Sequence, residues 1–343
     1  MIALSVLDQS PVRTDGTPAE AIQETLELAV LADRLGYRRY WLAEHHSTPG
    51  LAGSAPEVLI GQVTTRTSGI RVGSGGVMLS HYSALKVAES FRVLETLFPG
   101  RIDLGIGRAP GSDGLTARAL AHGPGALGIE HFPRQIADVM GFLGGQLERD
   151  HPFARVRAMP EGPTVPEVWL LGSSGESAAY AAHLGTAFSF AHFINGEGGA
   201  EITRAYARQF RPSAALPAPR ASVAVFAICA DTQAEALRLA RSRDLWILRL
   251  YTGRPGRFPS VEEAEAHPYS EQDLAIIRAA RRRTIAGSPA EVQEQLVQMA
   301  REYGVEEIVV VTITHDRKAR FRSYELLAQA FGLEPRKGGR DGP

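Results

Sequence analysis

Glu44, His45 and His46 are the first residues in the chain whose types and spacing offer chemistry. They follow the short run Arg39-Tyr-Trp-Leu-Ala43 and lead into Ser47-Thr-Pro-Gly50. An acid and two imidazoles therefore arrive where a buried strand gives way to a kinked loop. Titratable groups in such a place are costly unless they are hydrogen-bonded or reactive. In parallel α/β folds the carboxyl ends of the strands are where ligands bind. Proton transfer by His45, with Glu44 beside it, is the chemistry on offer. A metal-dependent hydrolase is the rival reading, and it is the weaker one. Two adjacent histidines on one loop rarely share an ion without further ligands, and no His-x-His pair stands on the first strand. No metal is expected.

A second loop, Gly172-Ser-Ser-Gly-Glu-Ser177, runs from a strand into a helix. Free amides at a helix N-terminus, with the hydroxyls of Ser173, Ser174 and Ser177 and the small Gly172 and Gly175, make a cradle for a phosphate. The same residues also make an ordinary capped turn, with Ser174 or Ser177 satisfying the amides; the sequence leaves both open. The loop lacks a P-loop lysine, which argues against nucleotide hydrolysis. Arg108 leaves a strand directly and can reach an anion over the strand ends. Arg134 stands in the first turn of a helix, where the dipole disfavours a cation unless an anion offsets it. A surface or carboxylate-paired arginine is the plainer reading of each. Gly75-Gly76 inside one strand and Gly105-Ile-Gly107 in the next mark a bulge or the close approach of a flat ligand. They do not form a dinucleotide fingerprint, because the third glycine and the following acid are missing. The pattern is a flat, backbone-lined slot beside two histidines, with a phosphate cradle across its mouth. Flavin mononucleotide (FMN) suits that description better than a sugar phosphate does.

The elements that must position these residues alternate. Strands are expected at 3–7, 39–43, 70–79, 101–107, 168–171, 186–193, 222–230 and 307–313. Helices are expected between them, with Ser54 capping the second and Asp231 capping the one that follows the seventh strand. Eight strands alternating with helices, and no break in composition, predict one (β/α)8 TIM barrel over residues 1–333. Residues 251–287 break the rhythm and read as an insertion before the last βα unit. Its arginines, Arg254, Arg257, Arg281, Arg282 and Arg283, suit either a mobile lid or a solvated helical face. Residues 334–343 are charged and glycine-rich and read as a disordered tail.

Composition narrows the partners. In 343 residues there are 37 Lys plus Arg and 38 Asp plus Glu, so no polybasic patch points to nucleic acid or an anionic membrane. The one cysteine, Cys229, lies in an apolar run and reads as a buried core thiol. No stretch approaches 18 uninterrupted apolar residues, and the opening residues read as a strand rather than a signal, so a cytoplasmic protein is expected.

Trp41–Gly50, Val72-Gly-Ser-Gly-Gly-Val-Met-Leu79, Arg101-Ile-Asp-Leu-Gly-Ile-Gly-Arg108 and Trp169–Gly185 resemble bacterial luciferase and the luciferase-like flavin monooxygenases, over roughly residues 1–200 and again in the terminal strand and helix. The resemblance implies a (β/α)8 barrel and, for His45, the family's active-site histidine. It places Gly75-Gly76 where the family has a non-proline cis peptide under the flavin ring. It also matches Arg108, Arg134, Ser174 and Ser177 to phosphate-contacting positions. Gly107 replaces a cysteine of bacterial luciferase and Ser173 an acidic residue, departures that favour the non-luminescent branch. The implied reaction uses reduced FMN from a separate NAD(P)H:flavin reductase and O2, through a C4a-peroxyflavin, to oxidise a small organic molecule. His192 and Phe193, ending the sixth strand, are candidate substrate contacts, although a lone histidine there also suits a structural role. The resemblance further implies a homodimer through the second and third helices, at Ala55, Val58, Leu59 and Gln62. Two alternatives remain: a deazaflavin-dependent oxidoreductase on the same barrel, and a flavin-binding protein without turnover.

Overall fold

A computed structural model of the chain describes residues 2–108, 113–121 and 128–336. Among them the strands are β1 (Ala3–Asp8), β2 (Arg39–Leu42), β3 (Arg71–Ser74), β4 (Val77–Met78), β5 (Ile102–Gly107), β6 (Glu167–Gly172), β7 (Ala187–Ala191), β8 (Ala221–Cys229), β9 (Thr284–Gly287) and β10 (Glu307–Val311). All ladders are parallel, running β10-β1-β2-β3-β5-β6-β7-β8, and β8 returns to β10 to close the barrel. Registers such as Val6 to Tyr40, Tyr40 to Val72 and Val310 to Val225 carry the pairing around. This is the (β/α)8 barrel that the strand count predicts.

The helices are α1 (Pro18–Arg34), α2 (Pro56–Arg66), α3 (Ala84–Leu97), α4 (Gly114–Leu120), α5 (Phe132–Leu143), α6 (Gly175–Leu184), α7 (Gly199–Gln209), α8 (Gln233–Tyr251), α9 (Val261–Ala266), α10 (Glu271–Arg281), α11 (Pro289–Tyr303) and α12 (Arg317–Ala330). Reciprocal capping boxes start α1 (Thr17 with Glu20) and α11 (Ser288 with Glu291), each with proline in the first turn. Two expected caps fall elsewhere. Pro56 fixes the first helical position of α2, so Ala55 becomes the cap residue and Ser54 lies outside. Thr232, not Asp231, caps α8 through the Glu235 amide, because Asp231 is turned to Arg322 at 2.8 Å.

Side chains alternate along each strand. Tyr40 and Leu42 face the helices, whereas Trp41 points into the barrel and meets Trp169 edge-on at 5.2 Å. On β8, Val223, Val225 and Ala227 pack outward while Ala224 and Phe226 join the interior cluster. The amino ends of the strands are locked by a buried ion network. Arg39 reaches Asp103 and Glu307 at 2.8 Å and Glu167 at 3.0 Å, and Trp41 donates to Asp103 at 3.0 Å. That end serves stability and leaves the carboxyl ends for a site.

Three expectations need correction. The third strand is interrupted: β3 stops at Ser74 and β4 resumes at Val77. Residues 251–287 contain a strand the sequence did not suggest, β9, which pairs with β8 from Phe226 to Cys229. That segment is also tied to the barrel, with Phe258 N donating to Val12 O at 2.8 Å and Arg257 to Gly16 O at 3.0 Å. Residues 334–336 are not frayed, because Arg336 donates to the carbonyls of Asp33 and Tyr37 at 2.9 and 2.7 Å. The rest of the expected tail lies outside the described residues. No helix among the described residues is long and apolar enough to cross a membrane.

Candidate active site

Two cavities open at the carboxyl ends of the strands. The first, of about 460 Å³, is a slot floored by Gly75, Gly76 and Gly107 and walled by Leu7, Trp41, Met78 and Leu171. The Gly75–Gly76 peptide is cis. A Cβ on Gly76 would stand 2.7 Å from the Gly105 carbonyl oxygen and 2.8 Å from Leu171 Cδ1, so backbone alone fits there. The slot ends against α6. Ser173, Ser174, Ser177 and Arg108 line it, and Ser174 occupies the cap position without making a side-chain cap bond. The first amides of α6 are therefore not taken up by their own serine, as the capped-turn reading would require. Arg108 is held by Glu176 in the first turn of the same helix.

The second cavity, of about 540 Å³, is a chamber lined by Gln9, His45, His46, Ser47, Thr48, Phe226, Trp246 and Ile247. Phe193 and Ile194 line both cavities. The His45 amide donates to Gly53 O at 2.8 Å, which fixes the backbone, while its Nδ1 is buried without a hydrogen-bond partner among the described residues. Burial, and then the neighbouring His46, push its pKa down to about 4, so the ring is neutral near pH 7. Gln9 Oε1 is likewise buried and without a partner among the described residues. Ser10 and Ser47, beside these loops, have φ of 50° and 53°, a left-handed conformation unusual for serine. Glu44 points away from the chamber. Its carboxylate accepts from Tyr82 Oη at 2.7 Å and the Met78 amide at 3.0 Å, and lies 2.7 Å from His46 Nε2. Burial and Glu44 together raise the Tyr82 pKa. Among the described residues, no group of three or more His, Cys, Asp or Glu side chains is placed to hold a metal ion.

Residues 2–307 match the family described as luciferase-like monooxygenase. The chain belongs to that family. Relatives from Bacillus subtilis include the uncharacterised protein YceB, 48% identical over 96% of this chain and 100% of that one. Another is an N-acetyl-S-alkylcysteine monooxygenase, 39% identical over 96% and 98%. The solved structure of apo-MsnO8 is 41% identical with a TM-score of 0.89, covering 98% of this chain and 100% of its own. Two more distant structures share the fold alone. The FMN complex of the oxygenating constituent of 3,6-diketocamphane monooxygenase from Pseudomonas putida is 18% identical (TM-score 0.69, coverage 98% and 99%). An F420-dependent secondary alcohol dehydrogenase is 12% identical (TM-score 0.69, coverage 97% and 99%).

In this luciferase-like chain, Gly75, Gly76, Gly107, Arg108, Gly172, Ser173, Ser174 and Ser177 converge on one slot, and Phe193 joins it to the His45 chamber. Four sequence candidates stand apart. Arg134 is exposed on α5 and does not line the slot. Gly175 begins α6 without reaching the cavity lining. His192 lines neither cavity, because its Nδ1 is 2.8 Å from Tyr303 Oη. Glu44 is occupied as described. Gln9, Tyr82 and Trp246 were not anticipated. Gln9 directly follows β1, so the rule that strand ends face the site would have found it. Trp246 sits with Ile247 and Leu250 on one apolar stripe of α8, a pattern that reads equally as core.

Proposed function

We propose that the protein is a flavin-dependent monooxygenase that uses reduced FMN and O2 to oxidise a small organic substrate. The reading rests on one arrangement: a glycine-floored slot with an open helix N-terminus at one end joins a mostly apolar chamber holding an unpartnered neutral histidine. The residues fit FMN. The α6 amides with Ser174 and Ser177 would hold the phosphate, and Arg108 would turn from Glu176 to it. Gly75, Gly76 and Gly107 leave the space a flat ring needs. A reduced flavin, when bound, supplies the two electrons that let O2 deliver one oxygen atom to a substrate.

The chain's own residues bind, orient and exclude water. Phe193, Phe226, Trp246 and Ile247 give the chamber an apolar wall that keeps water from the reacting atoms. His45, neutral and with Nδ1 uncommitted, accepts or donates a hydrogen bond at the reacting atoms without carrying charge. Glu44 is a positioning residue that acts through His46, Tyr82 and the Met78 amide. A separate NAD(P)H:flavin reductase supplies the reduced FMN in this reading. Two copies pair through α2 and α3, where Val58, Val93 and Leu97 stand exposed. The relative that oxidises an N-acetyl-S-alkylcysteine, by its name, supports oxygen transfer over hydride transfer.

The test supplies the protein with a flavin reductase, FMN, NADH and isotopically labelled oxygen gas, and offers a panel of small organic molecules. Transfer of labelled oxygen from the gas into a product that forms only with the protein present supports the reading. Substrate oxidation with F420 under strictly anaerobic conditions, and none with FMN, would replace it with deazaflavin hydride transfer.

A further inference from the structure

Two fully buried arginines of this barrel are matched by acids, and Arg92 donates to the Leu143 and Pro160 carbonyls. Arg39 and Arg320 are each 1% exposed and each touches at least two carboxylates. Arg243, at 2% exposed, has no ion pair among the described residues. Its Nε and Nη1 have no hydrogen-bond partner among the described residues, and its guanidinium lies 4.1 Å over the Phe226 ring. Phe226 is a wall of the His45 chamber. Arg243 shares a helical stripe with Trp246, Ile247 and Leu250, at spacings of three, four and seven, and those three residues line the same chamber. The acid next to it, Asp244, is committed to Arg281 at 2.8 Å.

A second cation stands close by. Arg283 donates to Tyr251 Oη at 2.8 Å and also to the Ile194 carbonyl oxygen, and both acceptors belong to residues lining the chamber. Arg243 and Arg283 therefore stand behind one wall of the chamber, touching it through Phe226, Tyr251 and Ile194. Asp113, the acid among the lining residues, accepts from the Thr116 amide and hydroxyl and the Leu115 amide, which hold its carboxyl below the usual range, so it stays an anion. His45 adds no charge near pH 7. Burial brings Arg243 down to about 10, so it stays a cation there. A cation–π contact offsets only part of the desolvation of a buried guanidinium. An anion in the chamber would offset the rest.

We propose that Arg243 and Arg283 give the chamber its substrate specificity, selecting a small molecule with an apolar body and a carboxylate. The chamber's size suits a small molecule, its walls are mainly apolar, and two cations stand directly behind one of those walls. This deepens the monooxygenase reading and rests on it for the word substrate. The binding claim itself needs no flavin.

The test uses intrinsic tryptophan fluorescence, since Trp246 lines the chamber, in titrations of the full chain without flavin. Inorganic phosphate is present to occupy the α6 cradle. The probes are octanoate and 4-phenylbutyrate, each paired with its uncharged amide. We expect each acid to bind at least about tenfold more tightly than its amide. Arg243→Met and Arg283→Gln should each erase most of that preference while leaving amide binding within about twofold, and Arg243→Lys should keep part of it. Arg283 is less buried, so its variant remains informative if Arg243→Met does not fold. Equal affinity of acid and amide in the wild type would overturn the proposal. So would a preference that survives in the folded variants, or no saturable binding of either acid. Because flavin is absent, failure here leaves the FMN reading intact, and failure to bind reduced FMN leaves this result readable.

Discussion

His45 offers the sharpest link between burial and chemistry. Burial first, then His46, lower its pKa from 6.5 to about 4, so the folded protein keeps the ring neutral where the unfolded chain takes up a proton. The unfolded state binds more protons in that window. Stability from this residue is therefore complete above about pH 6.5 and declines as pH falls towards 4. At roughly 1.4 kcal/mol per pH unit the full loss is about 3 kcal/mol, with about 1.4 kcal/mol already gone at pH 5.5. His45→Gln removes the titration and leaves the other acid-sensitive groups in place. Urea unfolding of wild type and variant at about pH 7.5 and pH 5.5 isolates the difference, because contributions common to both cancel. We expect the variant to lose about 1 to 1.5 kcal/mol less than the wild type over that step. A histidine Hε1 resonance titrating well below pH 6 and absent from the variant would assign the effect. Equal losses in the two proteins, or a His45 resonance titrating near 6.5, would refute the reasoning. The ring would then be a charged acid in part of the molecules at neutral pH, not a neutral hydrogen-bonding group.

Three further outcomes follow from the contacts. Gly76→Ala drives a methyl towards the Gly105 carbonyl and Leu171, so stability should fall by about 1–3 kcal/mol, and the variant should bind reduced FMN poorly; thermal denaturation and flavin titration check both. Glu44→Ala leaves the Met78 amide and Tyr82 hydroxyl without their acceptor and should cost about 2–4 kcal/mol in urea unfolding, with Glu44→Gln recovering part of it. Ser174→Ala should leave Tm unchanged, although a working serine cap is worth about 1 kcal/mol, and should still weaken reduced-FMN binding several-fold. A lowered Tm with unaltered flavin affinity would return Ser174 to the role of a cap.

Much of the barrel was legible because its strands are short apolar runs separated by helices with clear starts, as at Thr17-Pro18 and Ser288-Pro289. β9 was not. Thr284–Gly287 is four residues of alternating, half-buried character inside a charged insertion, and only its partner β8 makes it a strand. The slot was legible through Gly75, Gly76 and Gly107, where a missing side chain is itself the signal. Arg134 and His192 went astray for a different reason. A helix turn or a strand end gives a position, but side-chain direction depends on neighbours such as Tyr303, which lies 111 residues from His192. Glu44 looked catalytic for the same reason, since Tyr82 and Met78, which claim its carboxylate, stand 38 and 34 residues further on. Arg243 gave no sign at all, because an arginine on a helix reads as solvated until its burial is known.

The central claim is that the slot holds reduced FMN. Anaerobic titration of the purified protein with photoreduced FMN, followed through the fluorescence of Trp41 in the slot wall, tests it most directly. We expect saturation at one flavin per chain, competition by inorganic phosphate, and weakened binding in Gly76→Ala and Ser174→Ala. Failure of reduced FMN to bind would contradict the account. If F420 saturated the slot instead, the barrel and slot would stand and the oxygen chemistry would fall.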